Sequence, residues 1–454
     1  MNRVAFLTGL GRGAKILAIC VVFTGLALLL QSLHLPSELY NSRTRTSNSE
    51  IAHLAPKKPA NTTVSALVFY GRKDRVSCLR CYLERNLVEN GGWLDEVLWV
   101  VNTDNEGDLS YLNEIIESNP AVHRKLVIPG DKLWVYSYYK AWQRLDRGKY
   151  YVKVDDDILT GIFIFSSGWP TMRSLGSSRK KIARPQDLVV SANIINNPPL
   201  GFMHYHMGAL HPYFPDTGSP AHINASTPWK PSQHPYWEGP ANYTWPLDKK
   251  PPHKNHRWLR VQNENMMSQT PAAELTYDVW GPSYESWAIA AQMHYSLLEN
   301  IERNRLDVYK FGTWDMHGHR IRINFMCFYA DDILDTDVEN WPKNRGDEDM
   351  VVLDLPKQLN RFFANILREA VTIEGRALGA HFQYSDQGDL VDTDLLKRYK
   401  GLADERAYLP QSQHIEVNAP CNRDRAILMT ESWERADIGL PPPRKFPDPT
   451  RWKL

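Results

Sequence analysis

Between residues 64 and 157 short apolar runs alternate with longer amphipathic ones, and this pattern leaves few folds open to the chain. Residues 64–70 (VSALVFY) and 96–101 (EVLWVV) read as buried strands rich in β-branched and aromatic side chains. Residues 74–89 and 109–117 read as helices. A short strand at 125–128 follows, and Trp134, Tyr138, Ala141, Trp142 and Leu145 then recur at helical spacing. The fourth strand, Tyr150-Tyr151-Val152-Lys153-Val154, ends abruptly in Asp155-Asp156-Asp157. Four strands joined by helices imply an α/β fold: a Rossmann-type, mostly parallel sheet with right-handed crossovers, whose first half (63–160) is built to bind nucleotides.

Ligands of open α/β sheets bind at the C-terminal ends of the strands, where the acidic triplet lies. In extended geometry alternate side chains share a face, so Asp155 and Asp157 align while Asp156 points away. Two aligned carboxylates suit a hard divalent cation such as Mn²⁺ or Mg²⁺. The plain alternative is a solvated acidic turn. The same sheet edge supplies candidate nucleotide contacts: Tyr70, Gly71 and Arg72 after the first strand, Asn102 and Asp104 after the second, and further along Lys132 and Tyr136. Gly71 lets the backbone turn closely around a ligand, and Arg72 offers phosphate a planar fork. Nucleic acid is excluded as a partner on charge: 53 basic side chains against 52 acidic ones leave a net charge of +1.

The N-terminus carries an address. Residues 16–30 (ILAICVVFTGLALLL) hold no charge, and the apolar stretch extends to residue 35, about the 20 residues a membrane-spanning helix needs. Arg3, Arg12 and Lys15 precede it without an acidic residue, which keeps residues 1–15 in the cytosol. No small-x-small cleavage site follows, so a retained anchor is favoured over a signal peptide. Residues 36–62, polar and punctuated by Pro36, Pro56 and Pro59, read as a stem. The expected location is therefore the Golgi or ER membrane, single-pass, with the catalytic part (63–400) lumenal. Sequons at Asn61, Asn224 and Asn242 agree with that. Beyond Cys20 in the anchor, Cys78, Cys81, Cys327 and Cys421 allow two disulfides in any of three pairings.

Farther along, 188–195 (LVVSANII) reads as a strand, 285–301 as a helix, 320–329 (RIRINFMCFY) as an alternating strand and 359–370 as a helix. Residues 198–258 are irregular and dense in Pro, His, Tyr and Trp, an ordered insertion beside the site. Trp229, Trp237, Trp245 and Trp258 there are candidates for an acceptor groove, or simply order the loop. His204, His206 and His211 raise a zinc possibility that lacks a clear fourth ligand. Residues 401–454 form a C-terminal extension, Pro-rich and basic from residue 441.

With anchor, stem, half-domain and Asp155-Asp156-Asp157 in one chain, joined by Gly346-Asp347-Glu348-Asp349-Met350 and by His381 in Gly379-Ala380-His381-Phe382, the sequence resembles a type II membrane glycosyltransferase of the GT-A fold. The Val190-Ser191-Ala192-Asn193 segment resembles uncharacterised fungal proteins. The resemblance implies transfer from a nucleotide sugar, with UDP as the expected nucleotide, to a hydroxyl of a glycan, protein or other acceptor. It implies Asp155, Asp157 and His381 as metal ligands and leaves Asp156 for ribose or for structure. It places the general base of an inverting reaction at Asp349, with Glu348 and Asp347 as alternates. Two other readings remain open: a metal-dependent phosphoryl- or nucleotidyltransferase, though no phosphate-binding Gly-rich loop is present, and a non-catalytic lumenal carbohydrate-binding protein.

Overall fold

The structure is a computed structural model and describes residues 58–130, 133, 136–162, 176–218, 228–362, 371–383 and 385–406. The expected anchor at 16–35, nearly all of the stem, Cys20, Cys421, Lys132, Trp134 and Asn224 lie outside the described residues. Among the described residues, no helix is long and apolar enough to cross a membrane.

The described residues form eleven strands: β1 (Thr63–Tyr70), β2 (Glu96–Val101), β3 (His123–Leu126), β4 (Lys149–Asp155), β5 (Ile158–Ile162), β6 (Val189–Ile195), β7 (Tyr213–Pro215), β8 (Trp258–Arg260), β9 (Thr313–Asp315), β10 (Phe325–Tyr329) and β11 (Val371–His381). The main sheet runs β3-β2-β1-β4-β10-β6-β11-β5, with β9 also on β11. β3, β2, β1 and β4 pair in parallel, as the alternation predicts. β10 then enters antiparallel between β4 and β6. β11 runs parallel to β6, while β5 and β9 run antiparallel to β11. Six of the nine strands therefore share one direction, so the sheet is mixed α/β and mostly parallel.

Local chemistry explains several boundaries. Helix α1 (Lys73–Arg85) stops where Asn86 folds its amide back onto the Tyr82 carbonyl at 2.8 Å, four residues short of the predicted end. Helix α2 (Glu106–Ser118) starts at Asn105, whose side chain accepts from the Asp108 amide at 3.0 Å as an N-cap. Two expectations are corrected. The helix expected around 134–145 shrinks to the turn Tyr139–Trp142, and the strand expected from residue 320 begins only at Phe325. In the second case Arg320 and Arg322 turn toward acidic partners instead of joining the ladder.

A second apolar core lies beyond the sheet, organised on helix α4, preceded by α3 (Leu200–His206). Helix α4 (Trp287–Glu302) is buried at every position from Trp287 to Ile301, the mark of a helix enclosed on all sides. Its polar residues are all bonded: Gln292 to Thr270 and His211, His294 to Tyr399, Glu299 to Tyr213 and Arg260, Asn300 to Ala209 and His211. Helix α5 (Leu395–Arg406) packs against α1 and α4.

Trp229, Trp245 and Trp258 belong to this core at 4, 3 and 1% exposure, so they order the insertion rather than line a groove. Trp237 stacks against Phe214 and Tyr243. The expected zinc set does not form: His204 is tied to Asn193 at 2.7 Å and His211 to Asn300 at 3.0 Å, while His206 packs on Phe202. The two-disulfide expectation is also corrected. Cys78 and Cys327 are free, buried thiols, and Cys81 is disulfide-bonded to a cysteine outside the described residues. Asn61 and Asn242 are exposed.

Candidate active site

A cleft of about 540 Å³ opens at the C-terminal ends of the parallel strands. It is lined by Gly71, Arg72, Asn102, Lys153, Asp155, Asp156, Asp157, Asp347, Glu348 and His381, among others. The β1–β4 register sets Phe69 beside Asp155, so both strands terminate together and the triplet turns out of the sheet next to Gly71 and Arg72.

The three carboxylates go three ways. Asp156 faces back across the strand ends: its Oδ2 accepts from the Gly71 amide at 2.8 Å and from Arg72 Nε at 3.1 Å, and its Oδ1 meets the Arg72 guanidinium. Glycine at position 71 gives this clasp room, because a Cβ there would stand 3.2 Å from Asp156 Oδ2 and press on it. Asp155 is held by Lys153, two residues earlier on the same strand face, and by Asn324 Nδ2 at 2.8 Å. Asn324 immediately precedes β10, whose antiparallel entry beside β4 also brings the Asp155 amide to the Asn324 carbonyl at 2.9 Å.

Asp157 meets the far end of the chain. β5 pairs with β11, and the Phe382 amide donates to the Asp157 carbonyl at 2.8 Å. This sets His381 Nε2 3.4 Å from Asp157 Oδ1, a charge contact rather than a hydrogen bond, and that oxygen has no hydrogen-bond partner although it is buried. Asp157 Oδ2 lies 3.3 Å from Arg72. The His381 carbonyl is held in turn by Asn196 Nδ2 at 2.9 Å and by His294 Nε2 at 3.1 Å; the His294 Nδ1 atom accepts from the Tyr399 hydroxyl at 2.7 Å.

Electrostatics separate these groups. Burial pushes the Asp156 carboxyl up to about 6, although Arg72 works against it. Burial pushes Asp157 the same way, but the charge of His381 and then Arg72 hold it below the ordinary carboxylate range. Burial drives His294 down to about 3, so it stays neutral and keeps its tautomer.

On the opposite wall Asp347 is buried and accepts from Trp142 Nε1 at 3.0 Å; burial lifts its carboxyl to about 6. Glu348 reaches Arg320 at 2.5 Å and Arg322 at 3.2 Å. Asp349 does not line the cleft. Arg320 takes one of its oxygens and Arg345, at 3.0 Å, the other.

Of the residues singled out in the sequence, Gly71, Arg72, Asn102, Asp155, Asp156, Asp157, Asp347, Glu348 and His381 are brought together at the cleft. Tyr70, Asp104 and Asp349 are not. Tyr70 is buried, its hydroxyl donating to the Asp108 carbonyl at 2.6 Å, because strand alternation turns it to the face that packs on α2. Asp104 is exposed beyond β2. Residues without a motif were missed: Lys153, Asn324, Trp280, Tyr284, Arg320 and Arg322 all line the cleft. The only signal for Lys153 was a charge inside an apolar strand.

No family model matches the sequence, and no curated protein matches it. Partial structural likenesses exist. GalNAc-T7 with UDP, GalNAc and Mn²⁺ is 11% identical, over 30% of this chain and 23% of that one, with a TM-score of 0.23. The mannosyltransferase PcManGT from Pyrobaculum calidifontis, in complex with GDP-Man and Mn²⁺, is 17% identical over 36% and 46%, with a TM-score of 0.24. The 4-diphosphocytidyl-2C-methyl-D-erythritol synthase from Anaerococcus prevotii DSM 20548 is 14% identical over 29% and 55%, with a TM-score of 0.21. The chain thus spans about half or less of the length of these proteins.

Proposed function

We propose that the cleft binds a nucleotide sugar together with a divalent cation and transfers the sugar to a hydroxyl acceptor. The observation that carries this reading is the meeting of Asp157 and His381 across the β5–β11 pairing, beside the Gly71–Asp156 clasp. Asp157 offers a buried carboxylate oxygen with no hydrogen-bond partner, next to an imidazole nitrogen. Five carboxylates (Asp155, Asp156, Asp157, Asp347, Glu348) face four permanent cations (Arg72, Lys153, Arg320, Arg322) around the cleft, a balance that favours one further cation.

Among the described residues, no group of three or more His, Cys, Asp or Glu is set to hold a metal without help. That suits Mg²⁺ or Mn²⁺, bound by one or two side chains with waters and substrate phosphates completing the shell. Asp157 and His381 would hold the ion, which when bound offsets the negative charge growing on a leaving diphosphate. Asp155, expected to carry the ion together with Asp157, is engaged by Lys153 and Asn324 and serves to orient the turn. Arg72 is committed to Asp156 and Asp157, so it fixes both carboxylates for the ligand.

The proton of the acceptor hydroxyl goes to Asp347. A general base works best with a pKa near the operating pH, and burial has lifted Asp347 to about 6. Glu348 is neutralised by two arginines, and Asp349 does not line the cleft.

The apolar N-terminal segment and the exposed Asn61 and Asn242 support a Golgi or ER location with the cleft lumenal, as does the disulfide at Cys81. A donor screen measuring nucleotide release with and without Mn²⁺ tests the whole reading. Turnover of a nucleotide sugar that needs metal and disappears in Asp157→Ala is expected. Turnover of a nucleoside triphosphate instead, or full activity in Asp157→Ala, refutes it.

A further inference from the structure

The acceptor half of the cleft carries a feature that the proposed sugar transfer does not require. Among the described residues, the exposed large apolar side chains are Val88, Val127, Tyr136, Tyr277, Trp280 and Val391. Two of the three aromatics, Tyr277 and Trp280, share one turn at the cleft, at 38 and 50% exposure. The turn is braced: the Trp280 amide donates to Asp278 Oδ1 at 2.9 Å, and Arg322 reaches the Val279 carbonyl at 3.5 Å.

Trp280 and Tyr284 stand 5.3 Å apart in the cleft wall, with the Arg322 guanidinium 4.5 Å from one ring and 4.2 Å from the other. Tyr277, three residues before Trp280, belongs to a second aromatic group with Trp314, His319 and Phe202, ring centroids at 6.3, 6.2 and 6.0 Å. Exposed aromatic side chains at a cleft mark a ligand site. A pyranose ring presents an apolar C–H face and a rim of hydroxyls. An exposed indole takes the face, while guanidinium and carboxylate groups take the rim. Arg320, Arg322 and Arg345 are matched by Glu348, Asp349 and Asp354, so no spare positive charge is left for an anionic acceptor.

Resting on the proposed transfer, we infer that the acceptor is a neutral carbohydrate chain of at least two sugar units. The reacting unit seats on Trp280, and the next unit lies on Tyr277 and Trp314. Trp280 is thereby a specificity-determining residue rather than a catalytic one.

Calorimetry on the full chain with cellotetraose, mannotetraose and chitotetraose as probes tests this. At least one tetrasaccharide binds, and Trp280→Ala weakens it about tenfold, equivalent to about 1.4 kcal/mol. Trp280→Phe, which keeps a ring, stays within about threefold of the parent. The inference is overturned if no tetrasaccharide binds, or if Trp280→Ala binds as tightly as the parent. Failure of the transfer reading shows elsewhere, in a separate titration with UDP or GDP plus Mn²⁺: there Asp157→Ala would bind as the parent does.

Discussion

The cleft at the strand ends and the core around α4 use the same residue types to opposite ends. Around α4, Glu299 is fully buried and bonded at 2.8 Å to each of Tyr213, Arg260 and Arg303. Burial pushes its carboxyl up, but His211 and then Arg260 hold it down at about 2. Both Glu299 oxygens have donors, so the group is spent on holding the insertion together. At the cleft, Asp157 is equally buried yet keeps an oxygen without a hydrogen bond. Tryptophan divides the same way: Trp258 is 1% exposed within the core, Trp280 is 50% exposed in the cleft wall. Burial alone does not separate structural from functional residues; a place in the lining of the cleft does.

The largest effect that sharpens this contrast is expected in the α4 core. Glu299→Ala leaves Arg260 and Arg303 buried without their partner and should cost about 3–5 kcal/mol in denaturant unfolding. A loss below about 1 kcal/mol, the range of exposed pairs, would erase the distinction between the regions.

Next comes the base. Asp347→Asn should lower kcat by about 10²–10⁴-fold, the usual worth of a general base, while Asp349→Asn leaves far more activity. In the parent enzyme kcat/KM should fall as pH drops through about 6, because protonated Asp347 cannot accept the acceptor proton. The reverse ranking of the two variants would return the base to Asp349.

The smallest effect probes the seam between the regions. His294 lies on α4 but supports the His381 carbonyl, so His294→Phe should weaken Mn²⁺ binding in the presence of UDP by about 10–100-fold. His294→Gln, which retains a donor, should recover part of it. Unchanged metal affinity alongside a lowered melting temperature would make His294 purely structural.

Much of the sheet was legible because strand burial leaves a mark in the chain itself. β2 occupies the predicted residues, and β1 and β4 differ from them by a residue at each affected end. The insertion of β10 between β4 and β6 was not legible, since its partners lie about 135 to 180 residues away and nothing local encodes an antiparallel entry. The same holds for the disulfide at Cys81, since nothing in the cysteine spacing selected one of the open pairings.

At the site, sequence alone determined that an apolar strand delivers Asp155, Asp156 and Asp157 to a sheet edge, because strand periodicity is a local property. It also identified Gly71, Arg72 and Asn102 as neighbours there. Only the tertiary structure divided the labour: Asp156 clasps Gly71, Lys153 and Asn324 hold Asp155, and Asp157 is left facing His381. It also put Asp347 in the cleft lining and left Asp349 out of it, and it set Trp280 rather than the insertion's tryptophans in the cleft wall. Those decisions depend on which side chains complete one another's hydrogen bonds across long stretches of chain, and no local pattern carries that information.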